Sequence, residues 1–198
     1  MTSAPPDESL ILSHFQRKCG GLEERAIMPI VPSSPPVQVR CARNAEHVCY
    51  FTVGMSSRPL KVPEQYREFT FCELFIQLSP DWKFPPDDDD SNWPVHWLQQ
   101  VSLFPHAQGL WLGAPYVVLA NESEKEHFST NCRFTGMLLI VRDEVKLQEG
   151  VVKLYQMTPL YWEEILLERE QGIGALMNAF DANEISMVVN VDRANVAS

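Results

Sequence analysis

Apolar positions gather in several separate stretches of this chain, and proline, glycine and acidic residues interrupt them. The stretch that the rest of the chain is organised around is Val48 to Trp82. Within it, Val48 to Val53 and Phe69 to Leu78 are rich in aromatic and β-branched residues. They are bounded by Gly54, Pro59 and Ser79-Pro80, the pattern of buried strands. Alternation in the second run places Phe69, Phe71, Glu73, Phe75 and Gln77 on one face, and Thr70, Cys72, Leu74, Ile76 and Leu78 on the other. Glu73 therefore sits among phenylalanines, where a carboxylate needs a partner or water. Arg58 is the candidate partner.

Residues 1–8 read as a frayed, disordered terminus. Ser9 to Lys18 predicts a short helix with Leu10, Phe15 and either Ile11 or Leu12 on its apolar face, stopped by Cys19-Gly20-Gly21. Val37 to Arg43 predicts a strand that returns through Asn44-Ala45-Glu46-His47 into Val48 to Val53, which would set Cys41 opposite Cys49. Beyond Trp82, Pro85-Pro86-Asp87-Asp88-Asp89-Asp90 is an acidic turn without the Asp-x-Asp-x-Asp-Gly order of a calcium loop. A helix follows from Ser91 or Asn92, with Pro94 in its first turn and Val95, Leu98 and Val101 on its buried side. Phe104-Pro105-His106 should end it. Strands are expected at 116–120, 136–141 and 151–157, the second buried on both faces. Thr158-Pro159 then opens a helix to Phe180, with Leu166, Ile173, Met177 and Phe180 as its apolar stripe and Gly172 and Gly174 weakening its middle. Val188 to Arg193 reads as a short strand or extended tail. The pattern predicts one α/β (α+β) domain over 9–193, a mixed, mainly antiparallel sheet with helices packed against it.

Composition narrows the function. With 198 residues, 45% hydrophobic and 10% aromatic, the chain can build one sizeable core. A net charge of -10 argues against nucleic acid and anionic membranes, which need positive surface. It favours a basic protein partner, and it equally describes an ordinary soluble surface. Five cysteines without CxxC spacing, no leader-like N-terminus and no membrane-length apolar run point to reduced thiols and a cytoplasmic location.

A set of motifs runs through the chain in order. Gly54-Met55-Ser56 and Pro59 follow a strand, then come Glu73-Leu74 and the turn Leu78-Ser79-Pro80-Asp81-Trp82. Trp93-Pro94 opens a helix, followed by Phe104-Pro105-His106 and Trp111-Leu112-Gly113. The last motif is Pro159-Leu160-Tyr161 with Glu164. In this order they resemble the suppressor of fused family. Where the family commonly continues with Gly-His, this chain has Ala114-Pro115-Tyr116. The resemblance extends over the family's widespread single domain, without the second domain of animal members. It implies binding rather than catalysis. Animal suppressor of fused sequesters a transcription factor in Hedgehog signalling, and bacterial single-domain relatives occur beside secreted toxins and look like their immunity proteins. The chain resembles the bacterial kind more closely, which implies a protein partner such as a basic toxin.

No residue pattern supplies a catalytic centre to set against this. Gly54-Met55-Ser56-Ser57-Arg58 begins like a nucleophile elbow but ends in Arg58 where the strained turn requires glycine. The histidines are scattered without metal spacing, no phosphate-binding loop occurs, and no cofactor is implied. The residues singled out for partner binding are Arg58, Glu73, Trp82, Asp87, Asp88, Asp89, Asp90, Trp93, His106 and Trp111. An enzyme with a dispersed site around Arg58, Glu73 and His106 is the alternative.

Overall fold

A computed structural model describes residues 8–28, 36–86, 90–121, 126–148 and 150–197. Chain order gives α1 (Glu8–Cys19), β1 (Gly21–Leu22), β2 (Gln38–Arg43), β3 (Val48–Val53), β4 (Phe71–Leu78), α2 (Trp93–Gln108) and β5 (Tyr116–Ala120). Then come β6 (Gly136–Lys146), β7 (Val151–Leu160), α3 (Trp162–Gln171), α4 (Ile173–Ala182) and β8 (Val188–Val189). The strands form one eight-stranded sheet in the order β1-β2-β3-β4-β7-β6-β5, with β8 added beside β4. Only β4–β7 and β4–β8 are parallel; the other pairs are antiparallel. This is the mixed, mainly antiparallel α+β domain that the strand pattern predicts.

The two faces carry different cores. On one, Tyr50, Leu74, Ile76, Leu139, Tyr155 and Met157 meet Trp93, Val95, Leu98 and Val101 of α2. On the other, Phe51, Phe75 and Leu154 receive Ile11, Phe15 and Cys19 of α1, with Phe15 stacked 3.9 Å from Phe51. Further along that second face, Leu138 and Leu160 pack against Ile165, Leu176 and Phe180 of α3 and α4. The sheet thus lies between α2 and the α1, α3–α4 pair, which lets each apolar helix stripe bury against it.

The structure corrects several local expectations. β1 was not foreseen, and of the proposed terminus 1–8 only Glu8 is described, where it begins α1. Pro105 does not end α2: a proline removes only its own donor, and the helix continues to Gln108 before Leu110 donates to the Pro105 carbonyl at 2.9 Å. Thr158-Pro159 does not start a helix. β7 runs to Leu160 because Met137 and Gly136 of β6 pair with Pro159 and Leu160. The ladder from β4 reaches β7 only as far as Gln156, so Pro159 sits where one side of the strand has no sheet partner. The single long helix is two, broken at Gly172, whose φ of 83° lies in the range that glycine tolerates. Leu166 then faces outward at 36% exposure, and Ile165 and Leu176 take its place in the core.

Cys41 and Cys49 are not opposite each other. Cys41 pairs with Tyr50 and Ala42 with Cys49, so the two thiols lie on opposite faces of the sheet. Cys49 instead meets Cys19 of α1. All five cysteines are free and buried.

Candidate functional site

Glu73 lies at the centre of the sheet on β4 and is fully buried. Arg58 is not its partner. The carboxylate is held by neutral donors from β3 and the turn that follows it. Thr52 Oγ1 donates to Oε2 at 2.6 Å; Ser56 Oγ, Ser56 N and Gly54 N donate to Oε1 at 2.7, 2.9 and 3.1 Å. Gly54 makes this turn possible: its φ is 106°, and a Cβ there would stand 2.5 Å from the Pro36 carbonyl oxygen. Burial pushes the Glu73 carboxyl up to about 7, against the pull of those hydrogen bonds. Such a group fastens the Gly54-Met55-Ser56 segment to the sheet, and a substrate has no path to it.

Arg58 and His106 meet on the other side of the same segment. His106, at the end of α2, is hydrogen-bonded to the Met55 backbone, and its Nε2 is buried with no hydrogen-bond partner among the described residues. Burial first, then the nearby Arg58 charge, hold the imidazole below its usual range. Trp111 belongs to this end of α2 as well, 4.9 Å from the Tyr66 ring and 6.2 Å from Phe69.

Trp82, Asp90 and Trp93 collect at the opposite end of α2, about 20 Å away at the rise of a helix. Trp93 is buried and stands edge-on to Trp82 at 6.0 Å, and it tilts against Phe128 at 5.4 Å. Trp82 Nε1 donates to the Ser91 carbonyl at 3.3 Å. Asp87, Asp88 and Asp89 lie outside the described residues. Asp90 is not a free surface charge: it accepts from Thr130 N at 3.0 Å, Thr130 Oγ1 at 2.7 Å and Asn131 Nδ2 at 3.0 Å. The structure therefore divides the seven described residues of the ten into a Glu73–Arg58–His106–Trp111 side and a Trp82–Asp90–Trp93 side, and Trp111 does not join Trp82 and Trp93.

Beside the second group lies a cavity of about 810 Å³ that none of the selected residues lines, among those described. Its walls come from His127, Asn131, Arg133 and Thr135 on one segment, Tyr161, Trp162 and Glu163 at the start of α3, and Val191 to Arg193 with Asn195 near the C-terminus. Underneath, Glu164 is fully buried and bound by Arg193 through two contacts of 2.5 Å, while it also accepts from Tyr161 N at 3.0 Å and Val196 N at 3.2 Å. The Arg193 guanidinium lies about 5 Å from the Phe134, Tyr161 and Phe180 rings (5.0, 4.9 and 5.1 Å), so the tail is locked to the body of the domain. One signal for this site was present in the sequence. Asn131-Cys132-Arg133-Phe134-Thr135 alternates polar and apolar residues, and here Cys132 and Phe134 point into the core while the other three line the cavity. No sequence signal linked Glu164 to Arg193, 29 residues away.

A mixed, mainly antiparallel sheet flanked by helices on both faces, with a buried Glu-held turn, defines a small α+β domain. The family model "Suppressor of fused protein (SUFU)" matches residues 33–194, and the chain belongs to that family. The fold is similar to the crystal structure of a suppressor of fused homolog from Neisseria gonorrhoeae FA 1090, with TM-score 0.65, 14% identity, and coverage of 96% of this chain and 97% of that one. It is also similar to a chain of the Sufu-Fu complex, with TM-score 0.66, 14% identity and coverage of 98% and 93%. Drosophila Suppressor of Fused is similar over 80% of this chain and 42% of its own, with TM-score 0.55 and 14% identity. No curated protein matches the sequence. Among the described residues no helix is long and apolar enough to cross a membrane.

Proposed function

We propose that this chain acts by binding a protein partner and performs no chemistry of its own, in the manner of a cytoplasmic immunity protein that neutralises a basic toxin. The observation that carries the reading is membership of a family with a structural neighbour solved as a complex with a protein, Fu. The net charge of -10 supports a basic partner, since opposite charge speeds encounter. Docking is proposed at the Trp82–Trp93 end of α2, beside the acidic loop Asp87 to Asp90. Arg58, His106 and Trp111 form a second zone that a large partner can also reach.

The enzymatic reading requires Glu73 to meet a substrate together with Arg58 and His106. Glu73 is 0% exposed and four donors occupy its two oxygens, so nothing in the geometry favours it. The experiment is affinity purification of the tagged chain from its native cells, with the product of any adjacent toxin-like gene tested directly. Recovery of one protein in stoichiometric complex is the expected result. A chain that recovers no protein and turns over a small molecule, with activity lost in Glu73→Gln, contradicts the proposal.

A further inference from the structure

Two repeats of matching length bring Cys19 of α1 over Cys49 of β3. Phe15 and Cys19 are about one turn apart on the helix, a rise of about 6 Å. Cys49 and Phe51 are alternate residues on one face of the strand, about 6.6 Å apart. Phe15 stacks on Phe51 at 3.9 Å, so Cys19 falls on Cys49, and the two thiols are hydrogen-bonded to each other. The chain beyond Cys19 is pinned at once, since Leu22 pairs with Ala42 and Ala42 pairs with Cys49. Cys41, Cys72 and Cys132 belong to the core on the opposite face of the sheet.

His47, two residues before Cys49, is hydrogen-bonded to Cys19 as well. A row of buried amides sets its tautomer. Gln156 Nε2 donates to the Met187 carbonyl at 3.2 Å and to Gln77 Oε1 at 3.0 Å. The Gln77 amide thereby turns its own Nε2 toward His47 Nε2, 3.1 Å away, and that ring nitrogen accepts. The ring hydrogen is then on Nδ1, which leaves it for Cys19. The hydrogen bond from Cys49, then that from His47 and the nearby Lys18 charge, hold the Cys19 thiol below its usual range although burial opposes them. The other four thiols go the opposite way. Burial pushes Cys41 up to about 12 and Cys132 up to about 11, and it raises Cys49 and Cys72 as well. Cys19 is also the most exposed of the five, at 4%, and Lys18 beside it lies in solvent. A thiol held toward its thiolate beside cationic and hydrogen-bonding groups is the reactive kind.

We propose that Cys19 and Cys49 are a peroxide-reactive dithiol, oxidised reversibly to a disulfide that fastens the end of α1 to β3. The Cys19 thiolate attacks one oxygen of hydrogen peroxide. The O–O bond breaks, Cys19 becomes a sulfenic acid, and the departing hydroxide takes up the proton that the thiol had released. The Cys49 sulfur then attacks the Cys19 sulfur. The S–S bond forms as the S–O bond breaks, and the hydroxyl leaves with the Cys49 proton as a second water. The two thiols lose two electrons and the peroxide gains them; a dithiol reductant reverses the change. Sulfurs already in hydrogen-bond contact need to approach by only about 2 Å to reach bonding distance. This chemistry modifies the chain itself and needs no bound partner.

The test treats the folded, reduced chain with a small excess of hydrogen peroxide, blocks the remaining thiols by alkylation, and reads the product by mass spectrometry. The wild type should lose two of its five thiols, become lighter by about 2 Da before alkylation, and yield a Cys19–Cys49 linked peptide that dithiothreitol cleaves. Cys49→Ser removes the resolving thiol and should leave a sulfenic acid at Cys19 that dimedone traps. His47→Leu should slow oxidation of Cys19 about tenfold at pH 7 and restore the wild-type rate at high pH, because it moves the thiol's ionisation rather than its position. A His47 that merely packs would not shift the pH profile. Oxidation should also slow hydrogen exchange in residues 8–19 about tenfold, since a covalent tie suppresses local opening of the helix. Oxidation that spares Cys19, a disulfide to any other cysteine, no dimedone adduct at Cys19 in Cys49→Ser, or exchange in α1 unchanged by oxidation overturns the proposal. The wild-type product alone decides it if either variant fails to fold.

Discussion

Two buried carboxylates in this domain are accommodated by opposite means. Glu73 has four neutral donors and no cation among its hydrogen-bond partners. Glu164 has a guanidinium on both oxygens and two backbone N–H groups besides. Both residues are 0% exposed, yet they organise different things. Glu73 closes a turn between two strands that are already neighbours, and it leaves no room for a ligand. Glu164 reaches across 29 residues to fasten the C-terminal tail, and residues of that tail line the cavity beside α3. A buried acid is therefore no guide to function on its own. The one satisfied by its own hairpin is structural, and the one that ties a distant segment shapes a cavity.

The largest effect should come from breaking the ion pair. Arg193→Met leaves Glu164 charged and buried without its cation, and it also removes the contacts to Phe134, Tyr161 and Phe180. Urea denaturation should show a loss of about 3–5 kcal/mol. Glu73→Leu should cost somewhat less, about 2–4 kcal/mol, because the stranded groups are two hydroxyls and two N–H donors rather than a charge. If Glu73→Leu proves the costlier of the two, the contrast drawn here is inverted.

The pH dependence sharpens the same comparison. The folded Glu73 carboxyl is raised to about 7 from an ordinary value of 4.5. The native state holds that proton more tightly than the unfolded chain, so the contribution is fully present below about 4.5 and is lost as pH rises through about 7. Glu73→Gln is neutral throughout and keeps acceptors for the Gly54 and Ser56 N–H groups. Relative to that variant, the wild type should lose ~2–3 kcal/mol of stability between pH 5 and pH 8. A constant difference between the two proteins across that range would show that Glu73 stays ionised.

The smallest effects lie at the acidic loop, whose members should not behave alike. Replacing Asp87, Asp88 and Asp89 by asparagine should slow association with a basic partner at low salt and change little at high salt, since exposed charges steer encounter and are screened. Asp90→Asn should instead loosen the Thr130–Asn131 turn that it caps, with a stability cost of about 1 kcal/mol by thermal melting.

The sheet was legible because each strand is a local statement: alternation along 69–78 and the apolar run from Gly136 to Val141 need no knowledge of neighbours. β6 is in fact longer than that run, extending to Lys146, because cross-strand pairing with Val151–Leu154 continues where its own apolarity has stopped. The site was far less legible. Glu73 was visible as a carboxylate among phenylalanines, but its donor Thr52 lies 21 residues away and Arg58 was the nearer guess in chemistry. The Trp residues were visible as aromatic punctuation, whereas their division between the two ends of α2 depends on helix length and packing. The cavity was hidden because its walls come from segments far apart in sequence, 127–135, 161–163 and 191–195. Alternation at Asn131, Arg133 and Thr135 was the single local clue.

Hydrogen exchange read by mass spectrometry, on the free chain and on its complex with the captured native partner, addresses the central claim most directly. Docking at the Trp82–Trp93 end of α2 predicts new protection around Trp82, Trp93 and Phe128, with exchange in the already buried turn at 54–56 unchanged. Protection confined to the Arg58, His106 and Trp111 zone, or no protection anywhere on the chain, would contradict the account.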